Sequence, residues 1–212
     1  MTVKTLSLEH LPSDKPVHVA LFRDVCNSTF LKQQLLAGNA DFEYAFIDAS
    51  VIVSTVHALA AVFRAMNDSF HERLRSRNVH SEIVFSLSPN NNIAESFRRF
   101  GIDENTTSLL VVKVSTAPSI THESVQQHLS AVVEGTALEF SDENLCTLTD
   151  LAKVRKLYKL NSVSSKQAGV ANTKTGDRKE ERKANGVSHP DANEFKEVEA
   201  AILGAIALRG AS

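Results

Sequence analysis

Side chains able to do chemistry are scattered along this chain, and their spacing decides how few could act together. His122-Glu123 and His128 place two imidazoles and a carboxylate in one helical stretch, the material of a zinc protease. That motif needs its histidines four residues apart on one helix face, whereas a separation of six turns the second about 240° away from the first. Cys26 and Cys146 stand alone, without a CxxC or a metal-type neighbour. They argue against a zinc module and a disulfide scaffold, and for a reducing compartment. GxGxxG, GxxxxGK(S/T) and GxSxG are all missing, so dinucleotide binding, a phosphate-cradling P-loop and a hydrolase elbow lose their support. The residues therefore predict no metal, no cofactor and no enzymatic activity.

What remains is binding chemistry. Ser88-Pro89-Asn90-Asn91-Asn92 is the most unusual string. At a helix N-terminus its amides and free N–H groups could hold a phosphate or carboxylate, or the asparagines could simply turn the chain and cap the helix. Arg64, Arg73, Arg75 and Arg77 cluster around the end of a long helix, and Lys153, Arg155, Lys156 and Lys159 cluster on another. Either group could meet nucleic-acid phosphates or be a solvated face, and no aromatic interleaving supports base stacking. The end of the chain adds a third feature: Phe195, Val198, Ile202 and Ile206 recur at helical spacing, while Leu203 and Leu208 fall off that stripe. Such surplus apolar surface suits either an intramolecular core or the docking of a second protein, with Gly204 permitting close approach.

The elements that must position these residues follow from periodicity. Val17 to Arg23 reads as a first strand, and Asn27 or Ser28 as the cap of a helix carrying Phe30, Leu31 and Leu35 on one side, stopped by Gly38. Tyr44 to Ile47 and Val51 to Val53 read as short strands. From Ser54 a long helix is marked by Val56, Leu59, Phe63, Met66 and Phe70. Glu82 to Leu87 alternates around Ile83, Phe85 and Leu87, which predicts a half-buried strand ended by Pro89. The three asparagines then start a helix with Ile93 and Phe97 on one side, Gly101 takes the left-handed position after it, and Ile102 closes back onto Phe97. Leu109 to Val114 predicts a central strand covered on both faces. Thr121 caps a helix with Val125, Leu129 and Val132 inward, ended by Gly135, and Thr149 caps one carrying Leu151, Val154, Leu157 and Tyr158. From 161 to 192 Leu, Ile, Phe, Tyr and Met are missing, a composition that cannot bury enough to order itself. A last amphipathic helix follows, capped by Asn193, with Glu194, Glu197 and Glu199 near its positive end.

Hydrophobic residues at 42% and charged residues at 23% are near soluble-globular averages, so wholesale disorder and collagen-like or membrane classes lose. The net charge of −2 supplies no global field for a polyanion, which would need a local patch. No apolar run approaches the roughly 20 residues that span a bilayer, and the N-terminus lacks a signal-peptide core, so a soluble intracellular protein is expected. The expected architecture is a single compact mixed α/β domain over 17–160 with a small sheet flanked by helices, a disordered linker over 161–192, and a C-terminal helix over 193–209 that packs on the domain, on a partner, or on both.

Ser81 to Ile93, followed by Phe100-Gly101-Ile102 and Leu109-Leu110-Val111-Val112, resembles the PRPK-binding (TPRKB) family, the small kinase-binding subunits of the EKC/KEOPS complex. Val154 to Leu160 and the closing helix look like the same family's last segments, so the similarity covers most of 17–160 plus the end. The resemblance implies a non-catalytic subunit of mixed α/β fold, found in nucleus and cytoplasm. Its complex installs the threonylcarbamoyl group on the adenosine beside the tRNA anticodon. It implies binding to the N-lobe of a PRPK-type small kinase/ATPase, allosteric tuning, indirect association with the other subunits, no membrane, and in some lineages a hold on the tRNA 3′ tail. Phe195, Val198, Ile202, Leu203, Ile206 and Leu208 are then expected at the kinase. The alternative is a direct tRNA-binding protein using Arg64, Arg73, Arg75, Arg77, Lys153 and Lys156. Pro89, Asn90, Asn91, Asn92 and Gly101 are expected as structural residues. The polar stretch 161–192 departs from short relatives but leaves contact through the last helix feasible, since each doubling of a flexible loop costs only roughly 0.6 kcal/mol.

Overall fold

The computed structural model describes residues 3–160 and 192–209; the linker expected over 161–192 lies outside them except for its final residue. Five strands make one antiparallel sheet: β1 (Lys4–Leu6), β2 (Val17–Arg23), β3 (Ala45–Asp48), β4 (Leu109–Val114) and β5 (Thr136–Leu138). β4 runs between β2 and β3, with Val17 opposite Val114 and Ala45 opposite Val112. The other edge of β2 is shared end to end by β1, on Val17 to Val19, and β5, on Leu21 to Arg23. β3 is the outer strand on the far side, met by a bridge from Gly101 to Ile47 and by the Ile102 N–H, which donates to the Phe46 carbonyl at 3.1 Å.

Alternation along the strands feeds two cores. Val17, Val19, Leu21, Ile47, Leu110, Val112 and Val114 face one layer of helices, and Ala20, Phe22, Phe46, Leu109 and Val111 face the other. The first layer holds α2 (Thr55–Phe70), α3 (Val79–Leu87), α4 (Ile93–Phe100), α6 (Asp142–Leu148), α7 (Leu151–Tyr158) and α8 (Ala192–Leu208). α1 (Ser28–Leu36) and α5 (His122–Val132) cover the second. Every residue of β4 is therefore buried, as its apolar run predicts. Even Lys113 conforms: its Nζ donates to the Glu43 carbonyl at 2.5 Å and lies 4.7 Å from the Tyr44 ring centroid.

The strand expected over 82–87 is the last two-thirds of α3. Asn78 caps it, its Oδ1 accepting from the Ser81 N–H at 2.8 Å. All of Val79–Leu87 except Ser81 is buried, because the helix lies between α2, α4 and the sheet. An element wrapped on every side carries no amphipathic period, so the alternation of Ile83, Phe85 and Leu87 imitates a strand. The Glu82 carboxylate, buried within it, accepts from the N–H groups of Arg75 and Ser76 and from the Ser76 hydroxyl.

Other local expectations shift for identifiable reasons. The short strand expected over Val51 to Val53 does not form: Val51 closes a 3₁₀ turn, Ala49–Val51, with the Asp48 carboxylate accepting from the Ser50 N–H at 2.9 Å. Gly101 has φ −75 and ψ 170, not the left-handed geometry. It is glycine for lack of room, since a Cβ would sit 2.7 Å from the Phe97 carbonyl oxygen. Ile102 is buried in the core on the far face of the sheet, while Phe97 packs against the larger one. Gly38 does take φ +69 behind α1, whose Phe30 stays exposed. α5 ends before Gly135, at a Val133 cap. Asp150, not Thr149, caps α7: its Oδ1 accepts from the Lys153 N–H at 3.0 Å, while the Thr149 hydroxyl bonds the Ile52 and Leu145 carbonyls. α8 already includes Asn193.

α2 is rotated from the face its large residues suggest. His57, Ala58, Ala61, Val62, Ala65 and Met66 are buried, whereas Val56, Phe63 and Phe70 are exposed. Small side chains let α2 approach α3 closely, and tight packing there outweighs the size of the residues left outside.

Candidate functional site

α8 and the elements that hold it form the most elaborated part of the surface. Val198, Ile202 and Ile206 recur at helical spacing and are buried in the larger core, with Phe195 half-buried beside them. Both ends are secured by charge. Near the start, the Arg155 guanidinium pairs with Glu194 and the Ser54 hydroxyl donates to Glu199. Near the finish, Arg64 of α2 donates to the Ile206 carbonyl and, at 2.5 Å, to the Arg209 carbonyl. The order of these contacts makes α2 and α8 run parallel, side by side.

Arg209 reciprocates. Its buried guanidinium donates to the Phe85 carbonyl and, at 3.2 Å, to the Ser88 carbonyl, and lies 4.1 Å from the Phe85 ring centroid. Carbonyls at a helix end have no intrahelical donors, so one arginine terminates α3 and another terminates α8. Desolvation pulls the Arg209 pKa down to about 10, the neighbouring Arg64 charge adding to the effect.

Beneath α8 a polar chain joins three helices. The Val53 N–H donates to His57 Nδ1 at 3.3 Å, which makes Nε2 the protonated nitrogen. Nε2 donates to the Tyr158 hydroxyl at 3.0 Å, and that hydroxyl donates to the Leu87 carbonyl at 2.6 Å. Burial holds the His57 pKa down at about 3 and raises that of Tyr158, so both groups are neutral.

This geometry divides the residues singled out from sequence. Ile202, with no exposed surface, and Val198 and Ile206 belong to the core, whereas Leu203 is half-buried and Leu208 is 70% exposed. On the adjacent α2, Val56 is 52%, Phe63 39% and Phe70 57% exposed. Apolar side chains thus stand outward on two neighbouring helices, a feature of surfaces that receive another protein. The α2 members are hidden from sequence reading because their helical spacing imitates a core stripe; the small-residue series Ala58, Ala61 and Ala65 is the signal for the true face.

The cationic residues also separate. Arg64 is spent on α8, and Lys153 Nζ lies 2.6 Å from the Asp48 carboxylate and 3.2 Å from the Ser50 hydroxyl. Arg73 pairs with Asp68 at 3.2 Å, and Arg75 donates to Asn91 Oδ1 at 3.2 Å. Arg73, Arg75 and Arg77 share the exposed connection between α2 and α3, and Lys156 is exposed on α7. The asparagine string acts as turn and cap: Asn92 Oδ1 accepts from the Glu95 N–H at 3.0 Å, and Asn90 Oδ1 from the Asn92 N–H at 3.1 Å and the Ser88 hydroxyl at 3.1 Å. His122 and His128 go separate ways, to Thr5 at 2.9 Å and the Tyr44 hydroxyl at 2.8 Å.

A family model described as kinase binding protein CGI-121 matches residues 22–210. The EKC/KEOPS complex subunit cgi121 of Aspergillus terreus is 56% identical, covering 100% of this chain and 98% of the relative. The subunit of that name from Aspergillus fumigatus is 51% identical over 100% of this chain and 99% of its own. That of Schizosaccharomyces pombe is 35% identical over 68% of this chain and 82% of the relative.

Proposed function

The chain belongs to the CGI-121 kinase-binding protein family, and on that footing we propose that it serves an EKC/KEOPS complex as the subunit that binds the complex's small PRPK-type kinase/ATPase. Its contribution is binding rather than catalysis: by preferring one arrangement of the kinase it shifts the kinase's population, by as much as its affinities for the two arrangements differ. Threonylcarbamoyladenosine formation in tRNA is the reaction so supported. The observation that carries this reading is the outward apolar set of Val56, Phe63, Phe70, Leu203 and Leu208 on α2 and α8, within a family match that runs through α8. α8 itself keeps Val198, Ile202 and Ile206 in the core, so the kinase-facing set is the outer residues and the inner ones act by holding α8 in place.

Titration of the purified kinase by calorimetry tests this. Parent protein should bind, and Leu208→Glu and Phe63→Glu should each weaken binding at least tenfold, the usual scale for charging a desolvated contact. Parent-like affinity in both folded variants would reject the surface.

A direct tRNA contact is the second reading, favoured by the exposed grouping of Arg73, Arg75 and Arg77, with Lys156 elsewhere on the surface. Arg64 and Lys153, engaged inside the fold, are its weaker members.

A further inference from the structure

Where Gly101 and Ile102 leave the outer edge of β3, the sheet opens into a cavity of about 540 Å³, within the ordinary range for small-molecule sites. α1 stands on one side of it and α3 and α4 on the other. We propose that this cavity binds a small organic anion: a carboxylate, sulfonate or phosphate ester carried on an apolar body of one or two rings.

The apolar part follows from the walls. Leu35, Tyr44, Phe46, Val84, Phe97 and Ile102 line the cavity, so a ring system entering it replaces water against carbon on several sides. The charge follows from the polar residues at its margin. Two carboxylates line it, and each accepts from the protein through one of its oxygens. Glu43 Oε1 lies 3.3 Å from His80 Nδ1. Because the Val114 N–H donates to His80 Nε2 at 3.0 Å, Nε2 is the acceptor and Nδ1 the protonated nitrogen that serves Glu43. Asp103 Oδ1 accepts from the Asn105 N–H at 2.7 Å and from the Thr106 hydroxyl at 3.2 Å.

The three cations differ from one another. Lys32 faces Glu104 at 3.3 Å and Arg98 faces Glu95 at 3.5 Å. Arg77, exposed, makes no hydrogen bond or ion pair among the described residues, although its charge reaches Glu43 and, after the His80 hydrogen bond, helps to hold that carboxyl below its ordinary range, and its guanidinium lies 3.5 Å from where a Cβ on Gly38 would stand, at the cavity wall. Arg77 is therefore the cation at the cavity margin whose donors stand open, a planar fork suited to two oxygens of one anion. A neutral hydrocarbon would leave the Arg77 donors unused.

The test compares 8-anilinonaphthalene-1-sulfonate with its uncharged analogue N-phenyl-1-naphthylamine by fluorescence titration of the full chain. The sulfonate should bind saturably at one site and at least tenfold more tightly than the neutral probe. Arg77→Gln should remove most of that preference while leaving the neutral probe's affinity unchanged. Ser81→Phe, which fills the cavity from α3, should abolish both, and Leu208→Glu should alter neither, separating this site from the kinase-facing helices. A preference that survives Arg77→Gln, binding that survives in folded Ser81→Phe, or no saturable binding at all would overturn the proposal. If Ser81→Phe does not fold, the Arg77→Gln comparison decides alone.

Discussion

His57 and Tyr158 meet 3.0 Å apart in a buried seam, and the direction of their hydrogen bond is fixed from both ends: Val53 fills one nitrogen of the imidazole, and the Leu87 carbonyl takes the phenolic proton. Both imidazole nitrogens and the phenolic proton are engaged, so α2, α7 and the end of α3 are joined by groups that must stay neutral.

Acid should therefore loosen the fold. His57 titrates at about 3 when folded and near 6.5 when unfolded, so below pH 6.5 the unfolded chain binds the extra proton. Stability from this group is complete above pH 6.5 and is lost as pH falls toward 3, at about 1.4 kcal/mol per pH unit. Burial lowers the pKa of His80 as well, which adds in the same direction. Urea unfolding between pH 7 and 4 should show the slope, and His57→Leu should show a shallower one whatever its absolute stability.

Tyr158→Phe keeps the ring and removes the link. It leaves the His57 donor and the Leu87 carbonyl without their partner, at a cost of about 1–3 kcal/mol. Equilibrium denaturation at neutral pH checks this; a loss below the error of the measurement would mean that water takes the place of the hydroxyl.

Inner and outer residues of α8 should respond oppositely. Ile202→Glu puts a charge into the core and should lower stability by several kcal/mol, whereas Leu208→Glu, on an exposed residue, should leave the melting temperature unchanged and reduce kinase affinity. Melting curves measured beside the kinase titration separate the two effects.

Two glycines offer a contrast of sign. An alanine at Gly101 must displace the Phe97 carbonyl, 2.7 Å away, and should destabilise by about 1–3 kcal/mol. At Gly204 nothing among the described residues lies within 4 Å of an added Cβ, and Gly204→Ala should stabilise α8 by roughly 0.5–1 kcal/mol. Chemical denaturation of the two variants reads both.

For tRNA, glutamine at Arg73, Arg75 or Arg77 should flatten the salt dependence of binding by about one unit per lost phosphate contact. Arg64→Gln should instead lower the melting temperature, because that guanidinium caps α8. Filter binding across a salt series, with a melting curve for each variant, distinguishes these roles.

Legibility in the sequence tracked burial geometry. Val17–Arg23 and Leu109–Val114 were readable because a strand covered on both faces is apolar throughout, and the stripe of α8 because one of its faces meets the core. α3 was misread because it has no solvent side, and α2 because alanines, which carry little hydrophobic weight, are what faces inward. β1 and β5, of three residues each, are too short to establish a period. The partners of Arg64 and Arg209 were beyond reach, since backbone carbonyls have no residue type; the cavity margin, assembled from distant segments, was equally hidden.

The reciprocal arginine caps tie α8 to residues synthesised long before it, Arg64 preceding Arg209 by 145 positions. At ribosomal speeds of about 5–20 residues per second, the seat of α8 waits roughly 7–30 seconds for its occupant. During that interval α2 offers apolar surface on both flanks, and the nascent chain has a window in which a chaperone, or the kinase itself, can reach it before the last helix arrives.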